Sequence, residues 1–410
     1  MRYRDYNPKT DREAFHRIMR EVGWAEPGKE HLLDLSFECA RALVAEVDGS
    51  PECSVSTAPG VMRYLEEDLP SVEVTSVATS RIARRLGLAS RLVARALAAD
   101  AADGALVARV CAFDQGYYDK VGFGPGSYEH TLAFDPATLK VEVKPRLPRR
   151  LTKDDLELIH ASRLARLRGH GAVNYPQPAI TQVELDWHTE KGFGLGYCDG
   201  PNGELTHHFW CDCEHAEHGP YHISWMAYQT REQFLELLGL IKSLGDQVRL
   251  VRLREPYGIQ LQDLVYRPTR HGSITAGSRY ENRMSAYAHW QVRILDLRGA
   301  LARTHLACGD LSFNLRLTDP AERLLEGESG WRGVAGDYVV TVGPECRAKT
   351  GSDPSLPTLS ASVNSFSRMW LGVRPATGLA ATTDLAGPEP LLRELDRAFL
   401  LPQPLPDWDF

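Results

Sequence analysis

The stretch VATSRIARRLGLASRL, residues Val77–Leu92, decides how the chain is read. It follows an apolar strand pattern, SVEVTSVATS at 71–80, with Val72 and Val74 on one face. It leads into a long helical run, RIARRLGLASRLVARALAADAA, with its glycine near the start. Between the two lies Arg84-Arg85-Leu86-Gly87-Leu88-Ala89. Backbone N–H groups at a helix N-terminus are unpaired and point outward, and the helix dipole favours negative charge there. Gly87 and Ala89 let a phosphate approach the backbone, while Arg84 and Arg85 add charge-assisted hydrogen bonds. The plain alternative is a basic loop opening a surface helix. Placement directly after a strand and directly before a helix favours the anion site.

Around this stretch, residues 1–145 alternate strand and helix, the order of an α/β sheet. Thr10 and Glu13 have capping-box spacing for a helix over DREAFHRIMREV, whose Phe15, Ile18 and Met19 share a face. EHLLDLSFECA reads as a second helix and ALVAEVDGS as a strand ending in a turn. Glu66-Glu67-Asp68 reads as a solvated turn before the strand at 71. DGALVARVCAF (103–113) is a strand, DQGYYDKV a helical turn, and GFGPGSYEHTLAF returns as strand. Residues 146–285 restart after KPRLPRR: Thr152 and Asp155 cap one helix, Thr230 and Gln233 another, and a hairpin spans 206–228. The order loosely echoes the first region, as a degenerate duplication would. Arg163, Arg166 and Arg168 read as a polar face. Residues 286–410 form a small α+β region: GDLSFNLRLTD alternates as a half-buried strand, and PLLRELDRAF is the last helix before the apolar tail LPQPLPDWDF.

Composition bounds the function. At 410 residues, two or three compact units are expected. A 43% hydrophobic content sustains real cores, yet no window is long and apolar enough to span a membrane. No apolar segment of secretory type opens the chain, which favours the cytoplasm. A net charge of −7 disfavours nucleic acid and sooner attracts cations, polyamines among them. The eight scattered cysteines read as free thiols. Cys211, Cys213, His215 and His218 lack the spacing of common zinc sites, so no metal is expected.

The R-x-x-G-x-A pattern after a strand is similar to the pyrophosphate-binding motif of GNAT-fold N-acetyltransferases. That resemblance implies acetyl-CoA as co-substrate, its diphosphate cradled by Arg84, Arg85, Leu86, Gly87, Leu88, Ala89 and Ser90. It implies that Val77, Ala78 and Thr79 offer main-chain groups to the pantetheine arm. Phe113 and Asp114 would mark where the sheet opens to admit the cofactor. Such a domain, a second degenerate copy and a third domain ending in an aromatic residue together resemble the Eis (enhanced intracellular survival) acetyltransferases over essentially the whole chain. The implied architecture, α/β and α+β, is two tandem GNAT-fold domains, 1–145 and a degenerate 146–285, plus a sterol-carrier-protein-like α+β domain over 286–410. No R-x-x-G-x-A follows a strand in the second region, so it is expected to bind no CoA.

The resemblance also implies roles. Tyr117 lies four residues before Val121 and is expected in the core, which leaves Tyr118 facing the cofactor as general acid or, on the plainer reading, as a structural tyrosine. The α-carboxylate of Phe410 would reach the first domain's active site as a base; the alternative is an aromatic plug. Asp409 either supplies a negative field to a cationic substrate or is simply solvated. The expected activity is direct acetyl transfer to a primary amine of a small polycation, of aminoglycoside, polyamine or lysine-containing type. A protein lysine or N-terminal acetyltransferase and a non-catalytic carrier are the rivals. A homohexamer is implied by the resemblance alone.

Overall fold

The strand that precedes the loop is longer than its alternation indicates. In the computed structural model, which describes residues 1–26, 28–111, 114–187 and 192–408, it runs Glu67–Thr79 (β4). It pairs antiparallel with Ser50–Tyr64 (β3) over nearly its full length. Glu67 and Asp68 thus begin a strand rather than forming a solvated turn, and the reversal is confined to Leu65, at φ 51°, and Glu66. The sequence reading missed β3 because SPECSVSTAPGVMRY mixes serine, proline and glycine with few large apolar residues. Arg2–Asp5 (β1) and Arg41–Val47 (β2) complete one side of the sheet, and Val107–Cys111 (β5) pairs parallel to β4.

The helices follow the apolar positions, with two corrections at their starts. Arg12–Val22 (α1) buries Phe15, Ile18 and Met19, each such burial worth roughly 1.5–3 kcal/mol. Its cap position is Asp11, not Thr10, and Asp11 gives no cap bond because its carboxylate is held by Arg4 and by the Asn7 N–H. Glu30–Glu38 (α2) follows. Leu88–Ala102 (α3) begins seven residues later than the helical pattern, since a short 3₁₀ turn at Arg81–Ala83 and an extended Arg84 intervene. Gln115–Tyr118 (α4) is a single turn.

The chain divides into two compact units. The first holds residues 1–127, 170–173 and the chain from Ala288 onward. Its main sheet has the order β1-β2-β3-β4-β5, then Trp290–Ile294, then Gly124–Pro125. A strand from far along the chain therefore sits antiparallel beside β5, with Trp290 opposite Cys111 and Ile294 opposite Val107. A four-stranded sheet, Leu311–Thr318, Gly336–Val342, Arg347–Thr350 and Thr358–Ser362, belongs to the same unit, with Phe313, Leu315 and Leu317 buried as the alternation indicates.

The second unit holds residues 128–169 and 174–287 around a seven-stranded sheet. The strand Glu129–Phe134 pairs with Val251–Arg254 and Arg283–Tyr287, so the run GFGPGSYEHTLAF is not one strand but two, in different sheets. The hairpin His207–Cys213 with Tyr221–Ala227 forms as expected. Both capping boxes form, at Thr152 with Asp155 and at Thr230 with Gln233. Arg163 and Arg166 are buried rather than solvated: Arg163 pairs with Glu184 and lies 4.3 Å over the Trp225 ring, and Arg166 donates to Asn174 at 2.6 Å. A guanidinium stacked on an aromatic face and paired with a carboxylate tolerates burial that helical spacing alone does not foresee.

Candidate functional site

Pairing between β4 and β5 stops at Val74 with Val110. Beyond that point β4 stays paired with β3 up to Thr79 opposite Cys53, but a register shift between Ser54 and Ser56 and a left-handed Ser76, φ 53°, bend it. Among the described residues, the other edge of Val77–Thr79 therefore faces no strand. Peptide groups left over in this way are what an extended ligand uses to add to a sheet. Ala78 is buried, while Val77 and Thr79 are half-buried.

The loop after β4 carries the charge. Arg84, Arg85, Leu86 and Gly87 are exposed, and neither arginine has an ion-pair partner among the described residues. Arg85 stands at φ 66°, a conformation that costs a non-glycine residue energy, and Gly87 at φ 74° takes the same region freely. Gly87 is the N-cap of α3, and among the described residues no side chain caps that helix. Leu88 turns inward, whereas Ala89 and Ser90 are half-buried. The first-turn N–H groups of α3, beside two unpaired guanidinium groups, form an anion-binding arrangement.

The tyrosine turn adjoins this helix start. Ser90 Oγ–H donates to the Tyr117 hydroxyl at 3.4 Å, and Tyr117 meets Tyr118 edge-on at 4.9 Å. The structure corrects which of the two tyrosines is the more buried. Tyr118 is the one inside, 5% exposed and packed edge-on against Phe123, whereas Tyr117 is half-buried on the rim. A single turn does not hold the i,i+4 geometry that linked Tyr117 to Val121, because Asp119–Val121 tightens into a 3₁₀ turn. Burial pushes both phenols up, Tyr117 to about 12 and Tyr118 further, with the Tyr117, Glu73, Cys111 and Asp114 charges adding at Tyr118. Tyr118 therefore keeps its proton through the neutral range. Among the described residues its hydroxyl has no hydrogen-bond partner. Asp114 is exposed; Phe113 lies outside the described residues.

Sequence reasoning missed the charged pair beneath these groups. Glu73 on β4 and Arg109 on β5 are register partners, both 1% exposed, with Arg109 to Glu73 at 2.7 Å. A carboxylate in the middle of the apolar run SVEVTSVA was the signal, since both faces of a central α/β strand are covered and a buried charge needs a partner.

The C-terminal tail is docked as far as it is described. Pro404, Pro406 and Trp408 are buried. The Ser127 hydroxyl donates to the Pro404 carbonyl, the Leu405 N–H to the His170 carbonyl at 2.9 Å, and the Val173 N–H to the Asp407 carboxylate at 3.3 Å. The tail thus runs alongside 170–173, which itself passes from Leu65 at the hairpin turn back to Arg63 on β3. Asp409 and Phe410 lie outside the described residues.

The zinc-like spacing at 211–218 does not converge: Cys211 and Cys213 are buried in the core while His215 is exposed and stacks on His218. Among the described residues, Asp199, His207 and Glu236 bring ligand atoms within 4.8 Å of one another. Arg146 already pairs with both carboxylates, at 2.7 and 2.8 Å, so a cation occupies that place. No helix of the described residues is long and apolar enough to cross a membrane.

Residues 3–126 match the acetyltransferase (GNAT) domain family. No curated protein matches the chain. Over its full length the chain is similar in fold to a probable N-acyltransferase of unknown function from Enterococcus faecalis V583, at 16% identity and TM-score 0.81, covering 99% of that structure. It is likewise similar to a GCN5-related N-acetyltransferase from Anabaena variabilis, at 13% identity, TM-score 0.78 and 100% coverage of both chains. Eis1 from Mycobacterium abscessus matches at 17% identity and TM-score 0.76, again with 100% of both chains covered.

Proposed function

We propose, on the premise that residues 3–126 are a GNAT acetyltransferase domain within an Eis-like fold, that this chain transfers an acetyl group from acetyl-CoA to a primary amine of a small polycationic acceptor. The observation that carries the reading is the uncapped start of α3, with Arg84 and Arg85 unpaired, placed where β4 loses its neighbour and beside the tyrosine turn. The diphosphate would lie on the N–H groups of 86–90 and on the two arginines. The pantetheine arm would extend along the free edge of Val77–Thr79, whose N–H groups polarise the thioester carbonyl.

Transfer is then direct. The amine nitrogen attacks the carbonyl carbon, a C–N bond forms, and the C–S bond breaks as the thiolate leaves with its electron pair. The Tyr118 hydroxyl gives its proton to that thiolate. Burial keeps the Tyr118 hydroxyl protonated at neutral pH, so a proton is present where negative charge grows on the sulfur. The amine's proton goes to a carboxylate, for which the proposal takes the Phe410 terminus, delivered by the docked tail, with Asp409 supplying a negative field for the cationic acceptor. No cysteine nucleophile is required: burial raises Cys53 to about 11, so it stays a thiol. The resemblance adds a sterol-carrier-like third domain and a homohexameric assembly in the cytoplasm as parts of the same proposal; sedimentation reads the assembly directly.

The test is release of CoA from acetyl-CoA with a panel of aminoglycosides, polyamines and lysine peptides. It uses the full chain, Tyr118→Phe and a chain lacking Phe410. Turnover that falls about 10²-fold or more in Tyr118→Phe, with acetyl-CoA binding kept, supports the acid role. A similar fall on deleting Phe410 supports the carboxylate. Absence of both binding and turnover in the full chain sinks the reading and leaves a carrier.

A further inference from the structure

The turn that carries Tyr118 is held by residues far along the chain. The carbonyls at 119, 121 and 123, every second one along the turn, all accept hydrogen bonds from residues beyond 290. Asn364 Nδ2–H donates to the Asp119 carbonyl at 2.9 Å and to the Phe123 carbonyl at 2.8 Å. The Arg293 guanidinium donates to the Val121 carbonyl at 2.5 Å. The turn closes on itself through the Phe123 N–H, which donates to the Tyr118 carbonyl at 3.2 Å. Fixing both carbonyls that bracket the turn therefore fixes the backbone from which the Tyr118 side chain projects.

The residues that do this are themselves anchored. Arg293 is fully buried, its second arm on Asp319 at 2.6 Å and its guanidinium 5.2 Å from the Trp331 ring centre. It stands in the strand Trp290–Ile294, wedged between β5 and Gly124–Pro125. Asn364 is the second residue of the helix Val363–Trp370, whose start is capped by Ser362 accepting from the Ser365 N–H. The same helix is tied to the inserted strand, since Ile294 N–H donates to Ser367 Oγ at 3.0 Å. The contact is close: a Cβ on Gly124 would stand 2.4 Å from the Asn364 carbonyl, so the helix end and the turn meet only because residue 124 is glycine.

We propose that Asn364 is a positioning residue for acetyl transfer, acting through the Tyr118 turn. This rests on Tyr118 being the general acid. The physical reason is that proton transfer tolerates little displacement, and a shift of about 1 Å from a change remote from the chemistry costs on the order of 10²-fold in rate. Of the two clamps, Asn364 is the one to test. It is half-buried and neutral, whereas removing Arg293 would leave Asp319 as a buried uncompensated charge.

The experiment is a double-mutant cycle on the full chain, with Asn364→Asp, Tyr118→Phe and the pair. Asn364→Asp keeps the shape but replaces the one amide nitrogen that donates to both carbonyls by an oxygen that only accepts. The expected result is a fall in kcat of about tenfold or more in Asn364→Asp, with KM for acetyl-CoA within about threefold of the parent. In the Tyr118→Phe background the same substitution lowers kcat by less than about twofold, because the group it positions is already gone. An equal fall in both backgrounds would show a general structural role and overturn the proposal, as would an unchanged kcat in Asn364→Asp. If Tyr118→Phe alone leaves kcat untouched, the acid assignment fails first, and the cycle identifies it as the failing member. Should Asn364→Asp not fold, Asn364→Ser removes the reach to both carbonyls while suiting a helix start, and the same comparison applies.

Discussion

Each unit contains a strand, a helix and a second strand parallel to the first, and the two crossovers differ where the helix begins. In the first unit, β4 leads through Ser80–Gly87 into α3 and on to β5. In the second, the strand Tyr221–Ala227 leads into the helix Arg231–Ser243 and on to Val251–Arg254, again in parallel register. The second linker is only Tyr228-Gln229-Thr230. Thr230 Oγ1 accepts from the Gln233 N–H, and Gln233 Oε1 accepts from the Gln229 and Thr230 N–H groups at 2.7 and 3.2 Å. One first-turn donor, the Gln233 N–H, and the two N–H groups just before the helix are thus used by the chain itself. At α3, among the described residues, no side chain does this, and Arg84 and Arg85 stand beside the first-turn donors without an ion-pair partner. One architecture therefore gives a stability element in one unit and a candidate anion site in the other, decided by whether the first turn's N–H groups are already taken.

The sharpest way to break the contrast is to remove the charge. Arg84→Ala with Arg85→Ala removes the two guanidinium groups proposed to hold the diphosphate, each such charge-assisted bond being worth about 1.5–3 kcal/mol, so KM for acetyl-CoA is expected to rise by roughly 10²-fold or more. Steady-state kinetics with acetyl-CoA varied reads this. An unchanged KM would return the loop to a plain basic surface.

Acid comes next, and it acts on both units. His170 accepts from the Leu65 N–H at Nδ1 and donates from Nε2 to the Leu371 carbonyl, so it is held neutral. Burial pushes it down to about 4, and buries His208 of the second unit as a neutral ring at about 3. A depressed pKa means that the unfolded chain takes the proton first. Stability is fully present above pH 6.5 and is lost as pH falls from there towards 4. For His170 the loss by pH 4 is about 3 kcal/mol, at 1.36 kcal/mol per pKa unit. Denaturant titrations of the parent and of His170→Asn at pH 7 and 4.5 test it; parallel pH dependence in both would exclude His170 as a source.

A smaller effect separates the two helix starts by conformation. Gly87→Ala meets no atom within 4 Å, so the cost is the left-handed backbone alone, about 1–2 kcal/mol. Because the strained residue lies in the loop, KM for acetyl-CoA should move with it, as thermal melts and kinetics on one preparation will reveal. Smallest of all, Thr230→Ala removes the cap of the second helix. Stability should fall by about 1 kcal/mol with kcat/KM unchanged. A change in acetyl-CoA affinity there would place the cofactor's site elsewhere than at α3.

The elements most legible in the sequence were those whose signals are local. Thr230 with Gln233, the alternation at 311–317 and the apolar face of α1 all appear where their spacing places them. The loop after β4 was legible for the same reason: strand, arginines, glycine and helix are contiguous. What failed were inferences that needed the third dimension over a short span. Tyr118 rather than Tyr117 is the more buried of the pair because a turn too short to be a helix does not keep the helical angle between them. Thr10 lost the cap of α1 to Asp11, whose carboxylate answers Arg4.

The sequence by itself determined the strand, arginine-glycine loop and helix in succession, the α/β character of the first region, the caps at Thr152 and Thr230 and the apolar tail, because hydrogen-bond geometry and side-chain period act over fewer than about eight residues. Only the tertiary structure decided that Glu73 and Arg109 are mutual partners, that Trp290–Ile294 completes the first sheet, and that Asn364 and Arg293 grip the tyrosine turn. Those pairings join residues up to 245 positions apart. No local rule reaches so far: a carbonyl at 119 requires only some donor, and which donor arrives is settled by how the strands and helices pack.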